Sequence, residues 1–231
     1  MSSITLTNAI VAVRSRADMV GSSFVTDDEI TRWINEEAAE LHDLLVSSFE
    51  DEYTIVSGNA VVASGNTISL ASSTSWCPAS APFYKLRGID RLESGSSDWR
   101  KLSMFNFNMR NVRSAGSHWF RSREIRYRLV GAAIYLTPDD AATGTYRLWY
   151  VPGYVDLSAG GDALTFPENW HQYVLEGAAA KCRLKQEDDA SAHLGAKAGL
   201  RARIASMAAN RDIGSRMRIE DVRGGYDEDD D

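Results

Sequence analysis

An α+β fold is predicted for this 231-residue chain by three features. Apolar residues recur at helical spacing toward both ends. Between them the period shortens to that of strands, broken by Ser-Gly-Asn punctuation. After residue 210 too few apolar residues remain to build a core. The expected architecture is a helical bundle of N- and C-terminal helices with an inserted antiparallel β region and an extended C-terminal tail. Its divisions are an N-terminal helical pair over 1–52, a β-rich insert over 53–155, a second helical pair over 156–210 and an acidic-ended tail over 211–231.

Taken in order, residues 5–20 place Leu6, Ile10, Val13 (or Val11), Ala17 and Val20 at helical spacing, before a turn at Gly21–Ser23. The stretch Thr26–Phe49 is the most fully specified. Thr26 and Glu29 form a T-x-x-E capping box, and Val25 with Ile30 supplies the matching hydrophobic staple. Asp27, Asp28 and Glu29 place negative charge at the positive end of the helix dipole. Ile30, Trp33, Ile34, Ala38, Leu41, Leu44 and Leu45 then form one apolar stripe, interrupted only at the Glu37 and Ser48 slots. Glu50–Glu52 closes this helix.

Short runs at Tyr53–Ile55, Val61–Val62 and Ile68–Leu70 read as a hairpin or meander. Residues 71–82 have loop composition. Phe83–Leu92 alternates as a strand, with a bulge expected at Gly88. Asp98–Lys101 suggests a second short strand, and Leu102–Val112 an aromatic helix. Ile125–Val130, Ala133–Leu136 and Gly144–Val151 read as three further strands, and 152–165 as a Gly-rich connection. Helix is expected to resume at Phe166, with Thr165-Phe-Pro-Glu offering a capping box and Pro167 in the first turn. Its apolar face would hold Trp170, Tyr173, Val174, Gly177, Ala178 and Leu184. A last helix is expected over 190–209. Ala and Gly dominate both, permitting close backbone approach.

Composition is that of an ordinary globular protein, 44% hydrophobic and 25% charged. The N-terminus lacks a basic segment ahead of an apolar run, so no signal peptide is expected. No run reaches the roughly 18 apolar residues of a membrane span. Cys77 and Cys182 read as free thiols in a reducing compartment.

His42, His118, His171 and His193 are solitary, with no metal-ligand spacing. No phosphate-binding glycine motif, nucleophile elbow or kinase signature occurs. An enzyme is therefore not expected, nor a metal or cofactor. Charge is segregated instead. Residues 1–60 carry eleven acids against Arg14, Arg16 and Arg32, while residues 84–128 carry eleven bases against four acids. Asp227–Asp231 is wholly acidic. Blocks of alternating sign suggest faces that meet partners or further copies.

Arg110, Arg113, Arg121, Arg123, Arg126 and Arg128 crowd into nineteen residues among Trp119, Phe120 and Tyr127. The guanidinium fork pairs bidentately with phosphate or carboxylate. Arg126 and Arg128 would share one strand face, with Ile125, Tyr127 and Leu129 on the other. One reading is a solvated strand face. The others are contact with nucleic-acid backbone, or with an acidic neighbouring subunit. No sequence-reading motif accompanies the strip. In the tail, Ile213, Met217, Ile219 and Val222 have the composition of an extended arm that anchors on another chain.

The chain resembles tailed-phage head–tail connector (adaptor) proteins. The resemblance is carried by Val13, Arg16 and Ala17, by Phe24–Ile30, by Trp33–Glu36 with Glu40 and Leu41, and by Phe166–Trp170. It implies a structural virion protein, made in the host cytoplasm, that forms a ring beneath the portal. Such a ring is commonly a dodecamer, joins capsid to tail, and passes double-stranded DNA without reading its sequence. The expected partners are the portal protein, tail proteins and copies of the chain, with no membrane. Under this reading Ile213, Met217, Ile219, Val222 and Tyr226 dock the portal. Glu36, Glu40 and Asp43 meet a neighbouring subunit, and the Arg strip meets DNA or that neighbour. The alternatives are another tail-completion or tail-interface protein, and a sequence-independent nucleic-acid-binding module.

Overall fold

A computed structural model describes residues 2–71, 76–109, 125–138, 142–167 and 169–209. The fold is α+β, with four α-helices and several sheets among the described residues. The tail over 211–231 lies outside them.

The first strand, β1 (Ser2–Thr5), runs straight into α1 (Leu6–Arg16). The Thr5 hydroxyl caps the helix by accepting from the Asn8 amide, and Arg14 and Arg16 in the last turn suit the dipole. Arg14 then ties the following turn together, donating to the Ser22 and Val25 carbonyls at 2.9 and 2.8 Å and to Asp27 at 2.6 Å. Gly21 turns the chain with φ of 78°, a region open chiefly to glycine.

Helix α2 (Asp27–Ser48) begins with both halves of the capping box in place: Glu29 N donates to Thr26 Oγ1 and Thr26 N to Glu29 Oε2. Val25 and Ile30 are both fully buried, as the staple requires. The apolar stripe lies inward, and Glu37 lies inward with it at 3% exposure.

Helices α3 (His171–Lys185) and α4 (Ser191–Ala209) complete one apolar core with α1 and α2. Its centre holds Val13, Ile30, Ile34, Leu41, Tyr173 and Ala178. The entry to α3 differs from the expected one. Ala163–Phe166 forms a strand, β11, paired antiparallel with β1 in the register Ser2↔Phe166 to Thr5↔Ala163. Leu164 and Phe166 alternate inward. Thr165 is therefore committed to the ladder opposite Ser3 and cannot cap a helix. The helix starts at His171, after Trp170, with no side-chain cap bond. Leu184, expected on the apolar face, is 57% exposed.

The middle of the chain makes two sheets that share a second core. In chain order the strands are β2 (Ile55–Val56), β3 (Ala60–Val62), β4 (Thr67–Ser69), β5 (Phe83–Leu92), β6 (Trp99–Lys101), β7 (Ser103–Met104), β8 (Arg126–Val130), β9 (Ala133–Thr137) and β10 (Gly144–Pro152). One sheet runs β2-β10-β5-β6, with β3 also on β10; the other runs β4-β9-β8-β7. Tyr146, Leu148 and Tyr150 of β10 alternate inward against Ile134 and Leu136 of β9 and Tyr127 of β8. The bulge falls next to the expected glycine. Trp149 pairs with Gly88 and Tyr150 with Leu86, which leaves Arg87 as the extra residue.

Two readings of the insert need correcting. Leu102–Val112 is not an aromatic helix over its described part: it holds β7 and a single 3-10 turn at Phe107–Met109. Leu102 and Phe105 are buried, and Phe105 N donates to the Tyr127 carbonyl. That bond ties the segment to β8 and uses its backbone in a ladder. Nor is the insert wholly antiparallel, since β7 and β8 pair in parallel.

The two cores meet along the end of α2. Lys85 and Arg87 of β5 pair with Glu50, and Arg87 also with Asp51, so the acids that close α2 clamp the sheet. Asn35 of α2 holds the 152–162 connection, donating to the Leu157 carbonyl at 3.0 Å and accepting from Leu157 N at 2.9 Å.

Candidate functional site

The acidic face of α2 was expected to meet a neighbouring subunit through Glu36, Glu40 and Asp43. In the fold these three remain exposed, and each also engages its own chain. Lys181 Nζ of α3 lies 2.7 Å from Glu36 and 3.0 Å from Glu37. Lys197 Nζ of α4 lies 2.6 Å from Glu37 and 2.7 Å from Glu40. The Tyr173 hydroxyl donates to Glu40 Oε1 at 2.6 Å, and Lys197 sits over the Tyr173 ring. Glu37 is thus the buried centre of an ionic seam joining α2, α3 and α4. Asp43 lies apart, against His42 at 3.8 Å and hydrogen-bonded to Tyr84.

Burial disfavours charge at Glu40, Lys181 and Lys197, yet their partners favour the charged forms. For Glu40 the hydrogen bonds from Lys197 and Tyr173 outweigh burial and hold the carboxyl below its ordinary value. Lys181 and Lys197 are raised despite burial because their carboxylate partners favour the ammonium. Burial, then the bond to Glu40, pushes Tyr173 up to about 12.

The seam depends on Gly177. A Cβ there would lie 2.0 Å from Glu37 Oε2, so only glycine lets the carboxylate occupy its place. Neither Glu37 nor Gly177 was singled out from the sequence as a pair. The available signal was the coincidence of an acid in the apolar stripe of α2 with a glycine in the apolar face of α3.

Of the Arg strip, Arg126 and Arg128 are described, and Arg110, Arg113, Arg121 and Arg123 lie outside the described residues. Arg126 stands opposite Thr137 and Arg128 opposite Tyr135, on the face away from the second core. Both are half-buried. Arg128 donates to the Phe105 carbonyl at 3.1 Å and lies over the Phe107 ring. Ile125 and Tyr127 face the core as expected, while Leu129 is 39% exposed near the strand end. Ile213, Met217, Ile219, Val222 and Tyr226 lie outside the described residues.

Among the described residues no group of three or more His, Cys, Asp and Glu side chains is placed to hold a metal ion. No described helix is long and apolar enough to cross a membrane. Cys77 and Cys182 are free and buried.

The decisive comparison is with protein-family models. The model of the SU10 adaptor protein matches residues 4–222, which takes in both helical ends and the whole β region. The chain belongs to the SU10 adaptor protein family. It is a bacteriophage structural adaptor, a virion component of a head–tail adaptor family. Membership implies interaction with other virion proteins such as portal and tail, and families of this structural kind are typically without enzymatic activity. No curated protein sequence matches the chain.

Proposed function

We propose that this SU10-family adaptor forms a ring of identical copies, commonly twelve in connectors of this kind, beneath the portal. The ring joins capsid to tail and lines the passage for double-stranded DNA. The observation that carries the reading is the family match over 4–222, together with surfaces that one copy leaves uncovered. On α4 only Ile204 and Ala208 are fully buried among the described side chains, and Leu194 is 48% exposed. A closed ring uses a heterologous interface, in which two different faces of the subunit meet.

In this reading 1–52 and 156–210 act together as one helical bundle, with 53–155 as an inserted unit and 211–231 as an arm. Glu36, Glu40 and Asp43, still partly open to solvent, meet a neighbour's bases. The six arginines from Arg110 to Arg128 face DNA or that neighbour, and a ring repeats their charge without any base reading. Ile213, Met217, Ile219, Val222 and Tyr226 dock the portal through their apolar side chains. The test is co-purification with portal assemblies. Removal of 211–231 is expected to abolish portal binding while the chain stays folded by circular dichroism. Undiminished binding by the truncated chain refutes the docking role of the arm.

A further inference from the structure

A second charged feature lies on the β5–β6 hairpin, away from the ionic seam. Arg91 and Arg100 stand directly opposite each other in the antiparallel register. Like charges so placed destabilise a ladder unless something neutralises them. With Lys101 and Ser94 they line a cavity of about 300 Å³, floored by the buried Leu102 and Ile125, between this hairpin and the start of β8. Arg91 is fixed in place: its Nη2 donates to the Thr143 carbonyl at 2.9 Å, and a Cβ on Gly144 would lie 3.1 Å from its Nε. That Nε is sealed from solvent and has no hydrogen-bond partner among the described residues. Among the described residues Glu93 is the one acid lining the cavity. Its pair with Arg100 is long, at 3.7 Å, and both side chains are at least half exposed. Among the described residues three bases face one acid.

We propose that this cavity is an anion-binding pocket whose occupant is the chain's own acidic segment, Asp227–Asp231. The chemistry matches, since guanidinium and ammonium groups make charge-assisted hydrogen bonds to carboxylates. The shape favours a peptide. A concave pocket with an apolar floor admits single carboxylate side chains and the neighbouring Tyr226 ring, whereas a DNA duplex presents a convex rail. The reach is sufficient. Helix α4 ends at Ala209, and residues 210–226 between it and the acidic segment number 226 − 209 = 17. Extended, they span on the order of 60 Å, against a radius of gyration of roughly 17 Å for a chain of this length. Tethering also raises the effective concentration of the segment at the pocket. In the pocket the segment neutralises the opposed arginines and screens a basic surface until a partner draws the tail away. The inference rests on neither the ring nor the portal.

The test uses fluorescence anisotropy with a labelled peptide of sequence Gly225–Asp231. The protein is the full chain with the acids at 227–231 changed to their amides (Asp→Asn, Glu228→Gln), so that its own segment no longer competes. The peptide is expected to bind in low salt and to weaken about tenfold or more with Arg100→Gln. It is also expected to weaken in high salt, and to bind less well to the unaltered full chain. Arg91→Gln beside Arg100→Gln is expected to abolish binding. Because Arg91 packs on Gly144, that double variant can fail to fold. Arg100→Gln, at an exposed side chain, keeps the test decisive and is checked by unchanged thermal unfolding. Equal binding of an all-amide peptide overturns the proposal, as does an unchanged affinity with Arg100→Gln. Binding of inorganic phosphate or duplex DNA with none of the peptide overturns it too.

Discussion

Gly177→Ala separates two opposed effects that alanine has in these helices. In an open helical position, glycine to alanine gains up to about 1 kcal/mol from backbone entropy. Gly195 and Gly199 on α4 are such positions, with nothing within 4 Å of an added Cβ. At Gly177 the same methyl would lie 2.0 Å from Glu37 Oε2 and 2.3 Å from Cδ. Glu37 has nowhere to retreat, being 3% exposed and held between Lys181 and Lys197. Overpacking of a filled interior costs about 1–3 kcal/mol. Parting a buried carboxylate from its bases approaches about 3–5 kcal/mol. The lysine side chains are 30% and 17% exposed, so solvent reduces that second figure. After the propensity gain, a net loss of about 2–4 kcal/mol is expected. At roughly 2–4 °C per kcal/mol for a chain of this size, Tm falls by about 4–16 °C. Urea and thermal unfolding followed by circular dichroism measure it, with Gly195→Ala as the stabilising control. In a Glu37→Ala background the obstruction is gone, so Gly177→Ala is expected to be neutral or stabilising. A Gly177→Ala chain as stable as Gly195→Ala refutes the reasoning, and so does a loss that persists undiminished without Glu37.

The capping carboxylate makes a pH prediction. Glu29 is lowered from 4.5 to about 2 by hydrogen bonds from Lys185 and the Thr26 backbone. Its folded value lies below its unfolded one, so between them the unfolded chain binds more protons and stability is lost as pH falls. The urea midpoint is expected to drop as pH falls from 4.5 toward 2, with a shallower drop in Glu29→Gln; identical profiles refute it. Charge reversal at Arg126 and Arg128 is expected to impair genome retention or ejection in assembled particles. Normal particles with normal ejection would return that face to the role of a solvated strand surface.

What was legible in the sequence was what is settled locally. The cap of α2 uses Thr26 and Glu29, three residues apart, and its apolar stripe needs only the helical period. The strands at Phe83, Ile125, Ala133 and Gly144 alternate strongly enough to be placed within about a residue or two of their ends. Strand β11 escaped because four residues after a Gly-rich stretch carry almost no period, and because its partner β1 lies at the other end of the chain. The capping-box pattern at Thr165 was present but lost to the ladder, a tertiary preference overriding a local one. The parallel pairing of β7 with β8 joins segments separated by the Arg-rich stretch, and nothing local encodes it. In the same way Glu37 showed only as a break in the stripe, since the lysines that neutralise it come from α3 and α4. The six arginines were legible as a cluster, and the structure adds for two of them a strand face and, for Arg128, contacts to Phe105 and Phe107. The opposed pair Arg91 and Arg100 needed the β5–β6 register to be seen at all.

Electron microscopy of the purified full-length chain, alone and mixed with portal assemblies, tests the central claim most directly. The account predicts closed rings of identical subunits that cap the portal coaxially, with the central opening clear for duplex DNA. A chain that stays monomeric and leaves portals bare under conditions where the fold is intact would contradict it.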